Sequence, residues 1–226
     1  MNIIDLIFPK KCLECQKPRK YICDSCLEKV SYASEVCPEC RRSSNLGKVH
    51  TFCKKPDGLD GLVSIWSYDG VIHKAIIALK YKFASDVARE LAEVIVTKLQ
   101  SDQVTKFSED SILIPVPLHS ARERWRGFNQ SEEVGKLIAK KMRWKFRNDI
   151  LVRTSSRKPQ VGLRGTERRS NIKDVFSLRL NYFLVSGTQC LVLFDDVWTT
   201  GSTLKEAARV LKSNGAKEVW GLTIAR

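Results

Sequence analysis

The chain has no apolar run that approaches the roughly 20 residues needed to cross a membrane, so we expect no membrane span. No basic stretch precedes the short apolar segment at its start, which argues against a secretory signal peptide. Acidic residues are also scarce, since 25 Asp and Glu stand against 39 Lys and Arg, giving a formal net charge of +14. We therefore expect a cytoplasmic protein that binds polyanions, either nucleic acid or phosphorylated small molecules.

Cysteine is nearly absent from the second part of the chain, where the only one is Cys190, predicted to be a buried apolar residue. The other seven form three Cys-x-x-Cys pairs and a lone Cys53, which His50 completes at the same spacing. In a reducing compartment such pairs favour metal over disulfide, because two soft ligands on one tight turn supply half of a zinc tetrahedron. Sequential pairing predicts two structural Zn²⁺ sites, one formed by Cys12, Cys15, Cys23 and Cys26 and the other by Cys37, Cys40, His50 and Cys53. Spacing alone leaves an interleaved pairing open.

Short strand patterns alternate with helical patterns after residue 57. Strands are predicted at 62–68, within 111–119, at 190–194 and at 219–225, and helices at 71–80, 85–100, 132–142 and 204–212. This alternation predicts an α/β fold with a parallel sheet. A polar turn at 54–58 divides a metal-binding module, residues 1–56, from an α/β domain, residues 57–226.

The stretch from Cys190 to Thr203 is the most informative. A five-residue apolar run leads into two adjacent acids, then into Thr-Thr-Gly-Ser-Thr at the start of a predicted helix. Free backbone N–H groups and the helix dipole bind anions at such a turn, which predicts a monoester phosphate there. The carboxylates of Asp195 and Asp196 suit ribose hydroxyls or Mg²⁺ instead.

This stretch resembles the phosphoribosyl pyrophosphate (PRPP) signature of type I phosphoribosyltransferases. The resemblance implies that fold, with Asp195 and Asp196 as the catalytic acids on the 2- and 3-hydroxyls of the ribose. It assigns the 5-phosphate to the turn residues Thr199, Thr200, Gly201, Ser202 and Thr203. Ligands of parallel α/β sheets bind at the carboxyl ends of strands, which agrees with this placement.

A second anion-binding loop is predicted after the earlier strand, where Arg122, Arg124 and Arg126 alternate with other residues. They cannot share one helix face, but in a loop their forked donors can converge on phosphate oxygens. The resemblance implies pyrophosphate at this loop, with Arg124, Arg126 and Asn129 as the candidates. Residues 151–171 are basic and lack an apolar period. They predict a mobile loop that runs into a short helix ending near 175–176. The resemblance to type I phosphoribosyltransferases implies that this loop is a lid, which would exclude water from the reacting centre.

The order of these motifs, with P-V-P-L at 115–118 and R-G-F-N-Q-S at 126–131, resembles the ComF/GntX family over nearly the whole chain. That family is phosphoribosyltransferase-like with an N-terminal double zinc ribbon, and usually has Cys where this chain has His50. The resemblance implies PRPP with Mg²⁺ as ligands. For members named ComF, it also implies a role in natural competence, with single-stranded DNA and other competence proteins as partners.

Two functions remain open from the sequence. In one, PRPP is a ligand and the basic surface holds single-stranded DNA, with Trp125, Phe128 and Trp144 stacking on bases. In the alternative, the protein is an active Mg²⁺-dependent phosphoribosyltransferase acting on a nucleobase or another small acceptor. No acceptor site is evident. An amidophosphoribosyltransferase is not expected, since position 2 is Asn2 rather than a nucleophilic Cys.

Overall fold

The computed structural model describes residues 10–80, 84–101, 107–118, 124–154, 175–179 and 190–226. The described strands are β1 (Gly61–Trp66), β2 (Ile112–Pro115), β3 (Lys145–Phe146), β4 (Leu151–Arg153), β5 (Phe176–Leu178), β6 (Cys190–Val197) and β7 (Glu218–Ala225). Five of them form one parallel sheet in the order β1-β7-β6-β2-β3. The other two, β4 and β5, form a separate antiparallel pair.

Helices follow the strands as the apolar periodicity predicts. The α-helices with described bounds are α1 (Asp24–Leu27), α2 (Gly70–Ala78), α3 (Ala84–Ser101), α4 (Gln130–Met142) and α5 (Ser202–Ser213), and residues 124–126 are also helical. Two single 3₁₀ turns, Asn45–Gly47 and Thr51–Cys53, lie in the N-terminal region. Parallel neighbours require crossovers, and these helices supply them. The predicted α/β fold class, a parallel sheet flanked by helices with a small Cys-rich N-terminal region, is confirmed.

The sheet is buried on both faces. Along β6, Val192 and Phe194 belong to the apolar cluster that contains the buried residues of α2, α3 and α4, whereas Leu191 and Leu193 belong to the cluster that contains those of α5. Successive side chains of a strand point to opposite faces, so one continuous apolar run serves both layers. This explains why β6 carries no polar residue until Asp195, where the strand reaches the edge of the core.

Two predictions for the region after residue 150 are wrong in part. Residues 151–153 form β4 rather than the start of a loop, and the N–H of Thr154 donates to the carbonyl of Val175 at 2.9 Å. The chain at 176–178 is β5 rather than the end of a short helix. The rest of the predicted lid, residues 155–174, lies outside the described ranges. The unpredicted pairing of β4 with β5 depends on contacts across those residues, which no local pattern reveals.

The N-terminal region packs directly against the sheet domain. Cys12, Ile22, Cys26 and Val30 lie in the same apolar cluster as the buried residues of α2 and α3. The region also pairs with both ends of β1, the outermost strand: the N–H of Ala33 donates to Ile65 at 3.0 Å, and the N–H of Val49 donates to Asp60 at 2.9 Å. The boundary predicted at residue 56 therefore lies between two parts that share one core. Within the described ranges, we find no helix both long enough and apolar enough for a transmembrane segment.

Candidate metal centres and anion site

The N-terminal region brings its eight predicted ligands together in two groups of four. One group is Cys12, Cys15, Cys23 and Cys26, and the other is Cys37, Cys40, His50 and Cys53. Within each group the ligand atoms all lie within 4.8 Å of one another. This geometry supports the sequential pairing and separates the pairs that an interleaved arrangement would need to combine.

The two groups repeat one local design. In each, a knuckle carries the first Cys-x-x-Cys pair and ends on a residue with positive φ, Gln16 (64°) in the first and Arg41 (64°) in the second. The N–H of that residue donates to the carbonyl of the first Cys, at 3.0 Å and 2.9 Å respectively. The second pair of each group spans a single helical turn, α1 or Thr51–Cys53. A tight knuckle and a helical turn each place two ligands on one side of the backbone, so together they close a four-ligand site.

The ligand atoms fit zinc. Zn–S bonds of about 2.3 Å in a tetrahedron place two sulfurs about 3.8 Å apart. The Sγ atoms of Cys15 and Cys23 are 3.6 Å apart, and Cys40 Sγ lies 3.3 Å from His50 Nδ1. His50 Nε2 lies 3.0 Å from the carbonyl oxygen of Ser43, so Nε2–H can donate there and leave Nδ1 free for the metal. His50 is therefore placed to complete the second group of four possible metal ligands.

A lowered pKa favours the thiolate at Cys12 and Cys23 of the first group and at Cys37 of the second. The hydroxyl of Ser25, 3.4 Å from Cys23 Sγ, is the main cause that lowers the pKa of Cys23 to about 6. Burial would raise the pKa of Cys37, but backbone N–H groups of its own knuckle outweigh it and lower that pKa to about 7. Since a metal binds the thiolate, these two sulfurs are prepared to bind near neutral pH.

The two acids lie at the carboxyl end of β6, half-buried. Asp195 Oδ1 accepts hydrogen bonds from Ser131 Oγ (3.2 Å) and from the N–H of Asp196 (2.9 Å). Burial, with the neighbouring charge of Asp196, raises the pKa of Asp195 to about 7. A carboxylate held above its usual pKa range gains stability from a nearby cation or from hydroxyl donors. The site therefore favours a ligand that brings one or both.

The Thr-Thr-Gly-Ser-Thr turn has the geometry of an anion site. Gly201 adopts φ 75° immediately before α5, and a Cβ there would lie 2.2 Å from the ring of Trp198. Only glycine meets both requirements. Within the part of the chain that the structure describes, the backbone N–H groups of Thr199, Thr200 and Gly201 donate no hydrogen bond. These free donors at the start of a 12-residue helix suit a phosphate group.

The segment predicted to be an arginine loop is helical at 124–126, so that part of the prediction is wrong, and it continues as a loop through 127–129. This arginine loop is tied to the acids through one residue that the sequence did not single out. Arg126 Nη1 donates to Gln130 Oε1 at 3.0 Å, and Gln130 Nε2 donates to Asp196 Oδ2 at 3.4 Å. The Nε of Arg126 is buried and has no hydrogen-bond partner among the described residues. A buried donor without a partner is costly, so it points to an acceptor supplied by a ligand. Arg124 is exposed beside it.

Asn129 has a different task from Arg126. Its Oδ1 accepts from the N–H of Ser131 (3.0 Å), capping α4, and its Nδ2 donates to the carbonyl of Val116 (3.1 Å). Both ends of the amide are thus engaged by the protein. Asn129 fixes the arginine loop against the end of β2, and this capping role could have been predicted from the Asn-x-x-Glu spacing.

The exposed and buried aromatics separate clearly. Trp125 is 75% exposed, but Trp144 is only 6% exposed and packs edge-on to Phe107 with ring centroids 5.3 Å apart. The prediction that Trp144 stacks on bases is therefore wrong, because its ring is in the core. Phe128 is half-buried.

Comparison with known proteins adds the family. The chain is 30% identical to the DNA utilization protein YhgH of Escherichia coli O157:H7 over 228 residues, which covers 96% of this chain and 98% of the relative. It is also 30% identical to competence protein F of Haemophilus influenzae over 223 residues, covering 95% and 90% respectively.

The chain belongs to the competence protein F (ComF) family. No family model matches it. Among solved structures it is similar to a hypoxanthine phosphoribosyltransferase from Staphylococcus aureus, with 12% identity and a TM-score of 0.35 over 60% of this chain and 61% of that one. A score this low carries no argument by itself. For this ComF-family chain, the residues and their geometry carry the functional inference.

Proposed function

We propose that this ComF-family protein binds PRPP together with Mg²⁺ at the carboxyl end of β6, and that it handles single-stranded DNA in natural competence. The observation that carries the PRPP assignment is the linkage of three groups at one edge of the sheet. The paired acids and an arginine with a spare buried donor lie within a single hydrogen-bonded network, and the turn with three free N–H donors follows the acids directly in the chain.

Each part of PRPP matches one of these groups. The turn of Thr199, Thr200, Gly201, Ser202 and Thr203 takes the 5-phosphate, and the carboxylates of Asp195 and Asp196 take the ribose hydroxyls. Arg124 and Arg126 take the pyrophosphate, with Asn129 holding their loop in place. The acids also offer oxygen ligands for Mg²⁺, which would neutralise pyrophosphate charge. Positioning and charge stabilisation are what transfer from PRPP requires of a protein.

The two metal groups act as structural zinc sites in this proposal. Each supplies four protein ligands and leaves no open position for a substrate. Thiolate ligands persist in a reducing compartment, which supports a cytoplasmic location. We propose that residues 1–56 form the zinc-ribbon module on a phosphoribosyltransferase-like domain at 57–226.

Calorimetric titration with PRPP and Mg²⁺ tests the first half of the proposal. Saturable binding is expected for the zinc-loaded wild type and its loss in the double variant Asp195→Asn/Asp196→Asn. The matched control is Asp24→Asn, an exposed acid on α1 that pairs with Lys20. Equal binding by wild type and double variant would refute the assignment.

DNA handling is supported by the names of the relatives, by the net charge of +14 and by Trp125, which stands exposed between Arg124 and Arg126. An exposed ring between two cations can stack on a base while the cations contact the backbone. Trp125→Ala should weaken binding of a single-stranded oligonucleotide by about tenfold or more, as expected for one lost stacking contact. The control is Phe52→Ala, since Phe52 is equally exposed (78%) but lies in the second metal group.

The measurement is fluorescence anisotropy of a labelled oligonucleotide across a salt series. The salt dependence separates backbone contacts from stacking, because only the former release counterions. If both variants bind like wild type, Trp125 has no part in DNA binding. The alternative function, transfer of ribose 5-phosphate to a small acceptor, predicts acceptor-dependent release of pyrophosphate from PRPP.

A further inference from the structure

We infer that the second metal group positions the phosphate-binding turn, through Arg41 and Glu39 in its knuckle. This inference rests on the proposed function, since it assigns a further role at the same PRPP site. Neither residue belongs to the sheet domain, and neither was singled out by the sequence. Both reach across from the knuckle between Cys37 and Arg42 to the start of α5.

Arg41 makes the direct contact. Its Nη2 donates to the carbonyl oxygen of Thr200 at 2.7 Å. The origin of this side chain is fixed, because the N–H of Arg41 donates to Cys37 at 2.9 Å and the N–H of Cys37 donates to Arg42 at 2.9 Å. Arg41 follows the ligand Cys40 directly and holds φ 64° to close the knuckle. The position of its guanidinium is therefore tied to the metal-binding geometry.

The contact between Arg41 and Thr200 sets the direction of an N–H group that can donate to a phosphate. Thr200 and Gly201 share one planar trans peptide, in which the carbonyl and the N–H point in opposite directions. Holding the Thr200 carbonyl toward Arg41 turns the N–H of Gly201 away from the metal group. That N–H is one of the three free donors of the turn. Without Arg41 the peptide could rotate, because Gly201 tolerates a wide range of backbone angles.

Glu39 makes a second tie one turn further along. Its carboxylate lies 2.8 Å from Lys55 Nζ and 3.4 Å from Lys205 Nζ, and Lys205 is in the first turn of α5. Glu39 and Arg41 line a cavity of about 540 Å³ that also borders Thr200 and Ser202. One knuckle thus holds both the turn and the helix that the turn begins.

The first metal group lies elsewhere. Cys12 and Cys26 are buried in the cluster with the residues of α2 and α3, on the opposite face of the sheet from α5. The inference is therefore specific. Whether the second metal group is structurally ordered should determine the affinity for the 5-phosphate. Binding of pyrophosphate at the arginine loop should not depend on that group.

The test titrates zinc-loaded protein separately with ribose 5-phosphate and with pyrophosphate plus Mg²⁺. Arg41→Ala should weaken the binding of ribose 5-phosphate by about fivefold to tenfold, as expected for one charge-assisted hydrogen bond. The affinity for pyrophosphate should be unchanged. Arg41→Lys should recover part of the loss, since it restores the charge without the fork. The matched control is Arg42→Ala, the next residue, which should bind both ligands like wild type.

A second variant tests the role of the metal group. His50→Ala should lower the zinc content by one ion per chain and weaken binding of ribose 5-phosphate at least as much as Arg41→Ala, because it affects the contacts of both Arg41 and Glu39. The double variant should bind no worse than His50→Ala, because that variant already loses the Arg41 contact. Additive losses, or equal binding of ribose 5-phosphate by Arg41→Ala and wild type, would overturn the inference. A wild type that binds neither ribose 5-phosphate nor PRPP would instead overturn the proposed function, and the inference with it.

Discussion

Replacing Asp195 by Asn should stabilise the protein, and the gain should grow with pH. The folded-state pKa of Asp195 is raised from 3.8 to about 7, chiefly by burial and next by Asp196. Ionising it in the folded protein therefore costs free energy that the unfolded chain does not bear. The sign follows: the penalty is absent below about pH 4, grows as pH rises to about 7, and is constant above that.

The magnitude follows from the size of the shift. A difference of about three pKa units corresponds to about 4 kcal/mol at full ionisation. About half of this, roughly 2 kcal/mol, develops between pH 5.5 and pH 8. Asn is nearly isosteric and its oxygen can still accept from Ser131 and from the N–H of Asp196, so the hydrogen bonds are weakened rather than removed. The weakened bonds of the Asn variant contribute equally at both pH values, so they cancel when its stabilisation at pH 5.5 is compared with that at pH 8.

Chemical denaturation of wild type and Asp195→Asn, with zinc present and without PRPP, measures this difference at several pH values. Asp149→Asn is a control of opposite sign. The hydrogen bonds from Arg147, at 2.8 and 2.9 Å, lower the pKa of Asp149, so its small contribution is present at neutral pH and lost in acid. If the gain in unfolding free energy of Asp195→Asn is the same at pH 5.5 and pH 8, the argument that ionised Asp195 destabilises the ligand-free protein is refuted.

Three further predictions concern glycine, metal and a buried ion pair. In the same denaturation assay, Gly201→Ala should destabilise the fold by about 2 kcal/mol or more, because the added Cβ meets the Trp198 ring and the backbone has positive φ. The control is Gly127→Ala: nothing lies within 4 Å of a Cβ there, so only the backbone cost of about 1 kcal/mol should appear. His50→Cys should retain two zinc ions per chain by elemental analysis and Cys53→Ala only one, since Cys at position 50 keeps four ligands; equal zinc in both would exclude these ligands. Lys212→Met should lower the free energy of unfolding by about 2 kcal/mol in a thermal unfolding assay. The largely buried carboxylate of Asp60, which lies 2.6 Å from Lys212 Nζ, would then have fewer partners. The control, Lys217→Met, changes an exposed side chain and should leave the free energy of unfolding almost unchanged.

Local patterns identified most of the architecture. The helix predicted over 85–100 is Ala84–Ser101, and the one over 132–142 begins two residues earlier, at Gln130, because Asn129 caps it. The two groups of four Cys and His residues were equally predictable, since Cys-x-x-Cys spacing is a property of the backbone turn itself. Sequential pairing could not be chosen over interleaving by spacing, because that choice depends on how the knuckles pack in three dimensions.

Contacts between distant segments were not predictable. Arg41 and Thr200 are 159 residues apart, and no periodicity or motif marks Arg41 among 39 basic residues. Gln130 lies inside a recognised motif, yet its link between Arg126 and Asp196 requires the loop after β2 to meet the end of β6. Trp144 was considered for base stacking because of its basic neighbours, but its burial is decided by packing against Phe107, which in turn packs against Trp220.

The pairing of the N-terminal region with β1 has a consequence for the protein when zinc is scarce. β1 is the outermost strand of the sheet on that side, and the segments around Ala33 and Val49 occupy hydrogen-bonding groups at its two ends. Those segments lie beside the two groups of four residues for which we propose zinc. If zinc holds them in place, its loss would expose the sheet edge along Leu62, Val63 and Ile65, a template for strand exchange between copies of the chain. The proposed metals would then also limit self-association, an effect separate from any ligand that the protein binds.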